Sequence, residues 1–295
     1  MKEKEQVTAP VLNVVDLAVS YRRGMWRGRD TAVNGVSFQI GAGRTLGLVG
    51  ESGSGKTTIG RAIVGLVPVE KGEIFFCGEP IGHAGWARRR ELSASVQMVF
   101  QDPYSSLNPA RTIGQILVEP LMVHRKLGKA QFEVAVSSML AKVGLEPDVG
   151  RRYPGQFSGG QRQRIAIARA LIVEPKLVVC DEPVSALDLS VQAQVLNLLR
   201  DLQEELSLTY LFVSHDLAVV RYMSDEIAVL RRGELVEYGD AQRVGEQPEH
   251  PYTKELLAAA PRPLQLTFGA PSTTPAPRST SEASLPATIS GQSPK

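Results

Sequence analysis

Apolar positions in this chain follow two rhythms. Over most of its length, short β-branched runs alternate with segments in which apolar residues recur every three or four positions, the pattern of βαβ units. Residues 44–49 read as a buried strand. The next segment, 57–66, carries Ile59, Ala62, Ile63 and Leu66 on one helical face, with Pro68 as its stop. Further strands are predicted at 96–100, 177–180 and 209–213, helices at 161–172 and 191–206, and a hairpin over 226–238 that turns at Arg232-Gly233. The opening differs: 11–21, 32–40 and 73–77 follow one another without helices and predict a small antiparallel sheet beside the main one. Between about 102 and 155 strand signals vanish. There Phe132, Val136, Met139, Leu140 and Val143 form a helical stripe closed by Gly144, so a helical insertion interrupts the α/β frame. No internal repeat is seen.

The chain has 295 residues, enough for one large domain or two small ones. Its 43% hydrophobic and 22% charged residues exclude fibrous and wholly disordered classes. A net charge of +2 is too small for the basic footprint of a dedicated nucleic-acid binder, so no nucleic-acid partner is predicted. The end of the chain, 261–295, holds 7 of the 19 prolines among serines and threonines and predicts a disordered tail over 262–295. Cys77 and Cys180 each sit in an apolar run, which predicts two buried thiols in a reducing compartment. Met1-Lys2-Glu3-Lys4-Glu5 lacks the apolar stretch of a signal peptide, and no run reaches the length of a membrane span, so a cytoplasmic chain is expected.

Candidate chemistry centres on Gly50-Glu51-Ser52-Gly53-Ser54-Gly55-Lys56-Thr57, the G-x-x-x-x-G-K-[ST] pattern placed between a predicted strand and a predicted helix. Glycines let the backbone curl so that its N–H groups face a β-phosphate, and the helix N-terminus adds positive potential. Lys56 reaches the β and γ oxygens, and Thr57 ligates magnesium. The predicted phosphate-binding set, which the resemblance given below assigns to ATP, is Gly50, Ser52, Gly53, Ser54, Gly55, Lys56, Thr57 and Thr58. The strand 177–180 runs into Asp181-Glu182 at the carboxyl edge of the predicted sheet. Asp181 suits a magnesium-holding role, and Glu182 suits a general base that polarises the attacking water.

A second anion-binding helix start is predicted at Ser158-Gly159-Gly160-Gln161. That segment closely resembles the signature motif of ATP-binding cassette (ABC) ATPases, and the resemblance extends over about 11–261. It implies a RecA-like P-loop α/β core, an antiparallel β subdomain, and a helical subdomain over about 102–160 that bears the signature. It further implies that Tyr21 stacks on adenine, with Trp26 as the alternate in the arginine-rich stretch that follows. Gln101 would be the Q-loop glutamine, touching magnesium and water. Asp188 would belong to the D-loop, and His215 would be the switch histidine at the γ-phosphate. Ser158, Gly159, Gly160 and Gln161 would close over ATP held by a partner cassette.

The run from Gln101 to Pro109 and the extension at about 240–261, with His250-Pro251-Tyr252-Thr253, resemble the dipeptide and oligopeptide importer branch. The resemblance implies an ATPase subunit using ATP and magnesium, paired with a second ABC ATPase, either different or identical. It also implies two permease subunits, an extracytoplasmic solute-binding protein, and a peripheral place on the cytoplasmic face of the plasma membrane. Some members carry an iron–sulfur cluster in the C-terminal region. No cysteine follows Cys180, so this chain looks like the cluster-free partner. A soluble ABC protein of DNA repair or ribosomes, a non-hydrolysing regulatory module and an exporter cassette are the competing readings, though exporter cassettes are commonly fused to membrane spans and lack the His250 to Pro261 segment. The arginines at 88–90 read as a solvated face, with contact to anionic headgroups as the other reading.

Overall fold

Strand pairing divides the chain into two sheets. The computed structural model describes residues 9–22, 29–125 and 127–259, all within one compact unit. Trp26 and the expected tail at 262–295 lie outside the described residues.

In chain order the elements are β1 (Leu12–Arg22), β2 (Arg29–Ile40), β3 (Thr45–Val49), α1 (Lys56–Val64), β4 (Lys71–Phe76) and β5 (Glu79–Pro80). Then come α2 (Trp86–Leu92), β6 (Val96–Val99), α3 (Pro103–Ser106), α4 (Ile113–His124), α5 (Lys129–Lys142), α6 (Gly159–Leu171) and β7 (Leu177–Asp181). The last are α7 (Leu189–Leu206), β8 (Thr209–Ser214), α8 (Leu217–Met223), β9 (Glu226–Arg231), β10 (Glu234–Asp240), α9 (Ala241–Glu246) and α10 (Pro251–Ala259).

Strands β2-β1-β4-β5 form an antiparallel sheet, and β10-β9-β3-β8-β7-β6 form a second sheet whose inner pairs are parallel. Both faces of the six-stranded sheet are covered, which is why its strands read as continuous apolar runs. One face, with Leu46, Leu48, Val179 and Val213, packs with Ile59 and Ile63 of α1 against the antiparallel sheet. The other, with Val178, Cys180, Tyr210 and Phe212, packs against α6, α7 and the helices between β6 and β7. The described residues of that inter-strand segment form helices, 3-10 turns and loops without a strand, and Val136, Met139, Leu140 and Val143 face its core, with Gly144 in the left-handed region after α5.

Three expectations need correction. Helix α1 ends at Val64, short of the expected Leu66: Gly65 caps it at φ 81°, its N–H returning to Ala62 O and Arg61 O. Cys77 is exposed, because it occupies the left-handed turn (φ 50°) before Gly78, where the chain leaves the sheet. Arg89 does not belong to a solvated face. Its guanidinium turns inward and donates to Ile63 O at 3.0 Å and Gly82 O at 3.2 Å, and burial lowers its pKa.

Candidate nucleotide site

Register places the chemistry. In the parallel pairs Val49 lies opposite Ser214, and Asp181 opposite Val213, so the residues that follow β3, β7 and β8 emerge side by side. These are Gly50, Glu182 and His215, and they share the carboxyl edge of an α/β sheet, where such folds bind ligands.

The loop after β3 wraps into α1 because its residues tolerate positive φ. At Gly55 (φ 105°) a Cβ would stand 2.4 Å from Ala32 O, so only glycine fits between β2 and the helix start. The loop walls a cleft of about 750 Å³ with Ala32, Gln101, Glu182, His215 and Leu256. Gly50, Ser52, Gly53, Gly55, Lys56, Thr57 and Thr58 all line it.

Lys56 is 4% exposed, and its Nζ donates to Gly50 O at 2.6 Å and Glu51 O at 2.7 Å, with Ser54 Oγ at 3.4 Å. Burial lowers its pKa, opposed by Glu182, Asp181 and Glu51. Thr57 Oγ1 donates to Asp181 Oδ1 at 2.8 Å. Burial pushes the Asp181 carboxyl up, against the Thr57 hydrogen bond and the positive Arg61 and Lys56. Thr57 and Asp181 offer paired hard oxygen donors, the kind magnesium takes from protein before completing its shell with phosphate and water.

Above this pair, Glu182 sits in the left-handed region (φ 47°), its N–H donating to Val213 O at 2.9 Å. A non-glycine residue held there costs about 1–3 kcal/mol and aims the side chain away from the strand. Glu182 Oε2 accepts from Gln101 Nε2 at 3.0 Å and lies 3.2 Å from His215 Nδ1. Two residues from the ends of β6 and β8 therefore converge on one carboxylate oxygen at the end of β7.

Tyr21 OH lies 3.2 Å from Thr58 Oγ1, and the residue is 41% exposed, at the end of β1. The signature residues are elsewhere. Ser158 caps α6: its Oγ accepts from Gln161 N at 3.3 Å while Gln161 Oε1 accepts from Ser158 N at 3.1 Å. Neither they nor Gly159 and Gly160 line the cleft. Asp188 caps α7, accepting from Val191 N at 3.1 Å and Ser190 Oγ at 2.9 Å, and those bonds lower its pKa. A Cβ at Gly160 would fall 2.4 Å from Val191 Cγ1, so the glycine also lets α6 approach α7. Phe157, which precedes the cap, is buried in the helical core.

A model of the ABC transporter family matches residues 33–185, spanning the phosphate loop, Gln101, the capped helix α6 and the Asp181-Glu182 pair. This chain is an ABC ATPase cassette. The cassette is 51% identical over 233 residues to the oligopeptide transport ATP-binding protein OppF of Haemophilus influenzae, covering 79% of this chain and 70% of that one. It is 48% identical over 255 residues to the di/tripeptide transport ATP-binding protein DppF of Pseudomonas aeruginosa, covering 85% and 79%. A solved ATP-binding cassette, MJ0796, a dimer in a post-hydrolysis state bound to ADP and Pi, superposes with a TM-score of 0.71 at 27% identity, covering 78% of this chain and 98% of that one. No helix among the described residues of the cassette is long and apolar enough to cross a membrane.

Two features of the cassette escaped the motif reading. Tyr252 of α10, 2% exposed, accepts the N–H of Glu51 at 3.1 Å, and Leu256, one helical turn on, lines the cleft. The only sequence signal for either was the His250-Pro251-Tyr252-Thr253 run, which points to a branch and says nothing of the phosphate loop.

Proposed function

We propose that this cassette is the ATP-hydrolysing subunit of an importer for peptides or similar small solutes, working beneath separate permease subunits. The convergence of Gln101 and His215 on Glu182 Oε2, beside the phosphate loop, carries the catalytic part of the reading. Likeness to peptide-transport ATP-binding proteins supports the cargo class.

In this scheme the loop N–H groups and Lys56 hold the phosphates. Thr57 and Asp181 would hold magnesium, with Gln101 able to join them, and the ion would offset charge on the β and γ oxygens. Glu182 takes a proton from the attacking water. His215 contacts the γ-phosphate, and Tyr21 stacks on the base. Because Ser158, Gly159, Gly160 and Gln161 lie outside their own chain's cleft, they serve ATP bound to a second cassette, identical or different, and hydrolysis requires the pair. Asp188 joins the same interface. ATP then shifts a population from open to closed pairs through its differential affinity for the closed state.

A surface groove of about 350 Å³ that includes Leu66, Phe100, Val123 and His124 lies beside Gln101 in the chain and suits a permease loop. Two permeases, an extracytoplasmic solute-binding protein and a peripheral position on the cytoplasmic face of the plasma membrane complete the assembly.

Affinity purification of the full chain from native membranes, with mass spectrometry of its companions, tests this. Two permeases and a solute-binding protein are expected; recovery of ribosomes or DNA-repair proteins without a permease would overturn the transport reading. In the recovered complex, Glu182→Gln should lower steady ATP turnover at least about 100-fold, the lower bound for losing a general base. Turnover near the wild-type rate would remove Glu182 from that role.

A further inference from the structure

The last helix among the described residues, α10, reaches the phosphate loop. Hairpin β9–β10 holds α10 from two sides. Arg231, the last residue of β9, lies over the Tyr252 ring with its guanidinium carbon 4.7 Å from the ring centre. Glu237 of β10, 8% exposed, accepts the Glu249 N–H at 2.9 Å and the His250 N–H at 3.1 Å, the two peptides that lead into the helix. Within that turn His250 Nδ1 accepts the Tyr252 N–H at 3.2 Å. The hairpin touches the loop directly as well, for Gly233 N donates to Ser54 O at 2.9 Å.

The Glu51 peptide is thereby gripped from both ends. Its carbonyl accepts from Lys56 Nζ at 2.7 Å, and its N–H donates to Tyr252 Oη at 3.1 Å. The two grips differ in permanence. Lys56 must turn toward phosphate oxygens when nucleotide binds, which loosens its bonds to the Gly50 and Glu51 carbonyls. The Tyr252 contact involves no phosphate ligand and survives that turn. A glycine-rich loop needs such support, since a Cβ at Gly53 would meet no atom within 4 Å and the loop tip stands in open space. Any order not supplied beforehand is charged against nucleotide affinity.

We propose that Tyr252 is a positioning residue for nucleotide binding, fixing the Glu51 peptide so that the loop N–H groups after it stand preformed for the phosphates. By reciprocity, bound nucleotide tightens α10 onto the core. The idea rests on reading the cleft as the ATP site.

The test compares the full-length chain with its Tyr252→Phe variant, which keeps the ring and its contact with Arg231 but removes the acceptor. ADP binding with magnesium is measured by titration calorimetry, and melting temperature with and without ADP. The variant should bind ADP about threefold to tenfold more weakly, the span expected for one net backbone hydrogen bond, and show a smaller ADP-induced rise in melting temperature. Equal affinity and an equal rise would overturn the proposal while leaving the cleft assignment standing. Failure of the wild type to bind ADP would overturn both. Should Tyr252→Phe not fold, amide exchange of the wild-type chain decides: ADP should slow exchange across residues 251–259, and unchanged exchange there would refute the coupling.

Discussion

The Thr57 hydroxyl donates to Asp181 Oδ1 across 2.8 Å, joining the first turn of α1 to the end of β7. Asp181 is 2% exposed, and this is a short bond to a carboxylate taken out of water. Removing the donor leaves a buried acceptor unpaired, which costs about 1–3 kcal/mol. Thr57→Val, which keeps the branched shape, should therefore lower the melting temperature. Asp181→Asn removes the buried charge, keeps an oxygen for Thr57, and should leave stability equal or higher. Both variants should lose most of the gain in nucleotide affinity that magnesium confers, measured by titration with magnesium or with a chelator. Undiminished magnesium dependence in Asp181→Asn would contradict the assigned role.

Helices α6 and α7 meet at Gly160 and Val191, where a Cβ would have to stand 2.4 Å from Val191 Cγ1. Gly160→Ala should destabilise the fold by about 1–3 kcal/mol through overpacking. In a Val191→Ala background the clash disappears and only the better helix propensity of alanine remains. The same change should then be neutral or stabilising by up to about 1 kcal/mol. Denaturant melts of the four proteins in this cycle measure the coupling; an additive result would show that Gly160 does not limit the approach of α6 to α7.

The two cysteines should react very differently. Cys77 is exposed, whereas burial pushes the Cys180 thiol up to about 12. Because the thiolate is the reactive form, a colorimetric thiol reagent at neutral pH should titrate one group in the native protein and two in denaturant. Rapid reaction of two groups under native conditions would show that β7 opens readily.

Glu237 links acid stability to α10. Burial alone would raise its pKa, but the Glu249 and His250 amides and Arg243 more than offset that and hold it below 4.5. The unfolded chain thus takes up this proton at higher pH than the native one, so the contribution is complete well above the ordinary glutamate pKa and fades as pH falls through the native value. Glu237→Gln should melt lower than wild type at pH 7, with the gap closing under acid. A gap constant with pH would mean that charge at Glu237 plays no part.

Much of this architecture is legible locally. Strands β3, β7 and β8 announce themselves as buried apolar runs, and the glycine spacing before Lys56-Thr57 identifies the loop without any partner element. The capping box at Ser158 and Gln161 follows from residue types three apart. What is not legible depends on contacts between distant segments. Tyr252 and Glu51 stand 201 positions apart, and no periodicity encodes which tyrosine faces which peptide. Arg89 sits in a run of three arginines that reads as a wet face, and only the fold shows two carbonyls waiting for it. Cys77 misleads for the opposite reason: its apolar neighbours belong to β4, but the residue itself makes the turn.

The position of β3 has a consequence for synthesis. Its two neighbours in the sheet are β8 and β9, so when residues 45–57 leave the ribosome neither flanking strand yet exists. At roughly 5–20 residues per second, many seconds separate translation of the loop from translation of Tyr252. The nucleotide cleft is therefore assembled from the earliest and the latest parts of the described chain. In a nascent cassette the Glu51 N–H thus waits for its Tyr252 acceptor until the last of the described helices has been made.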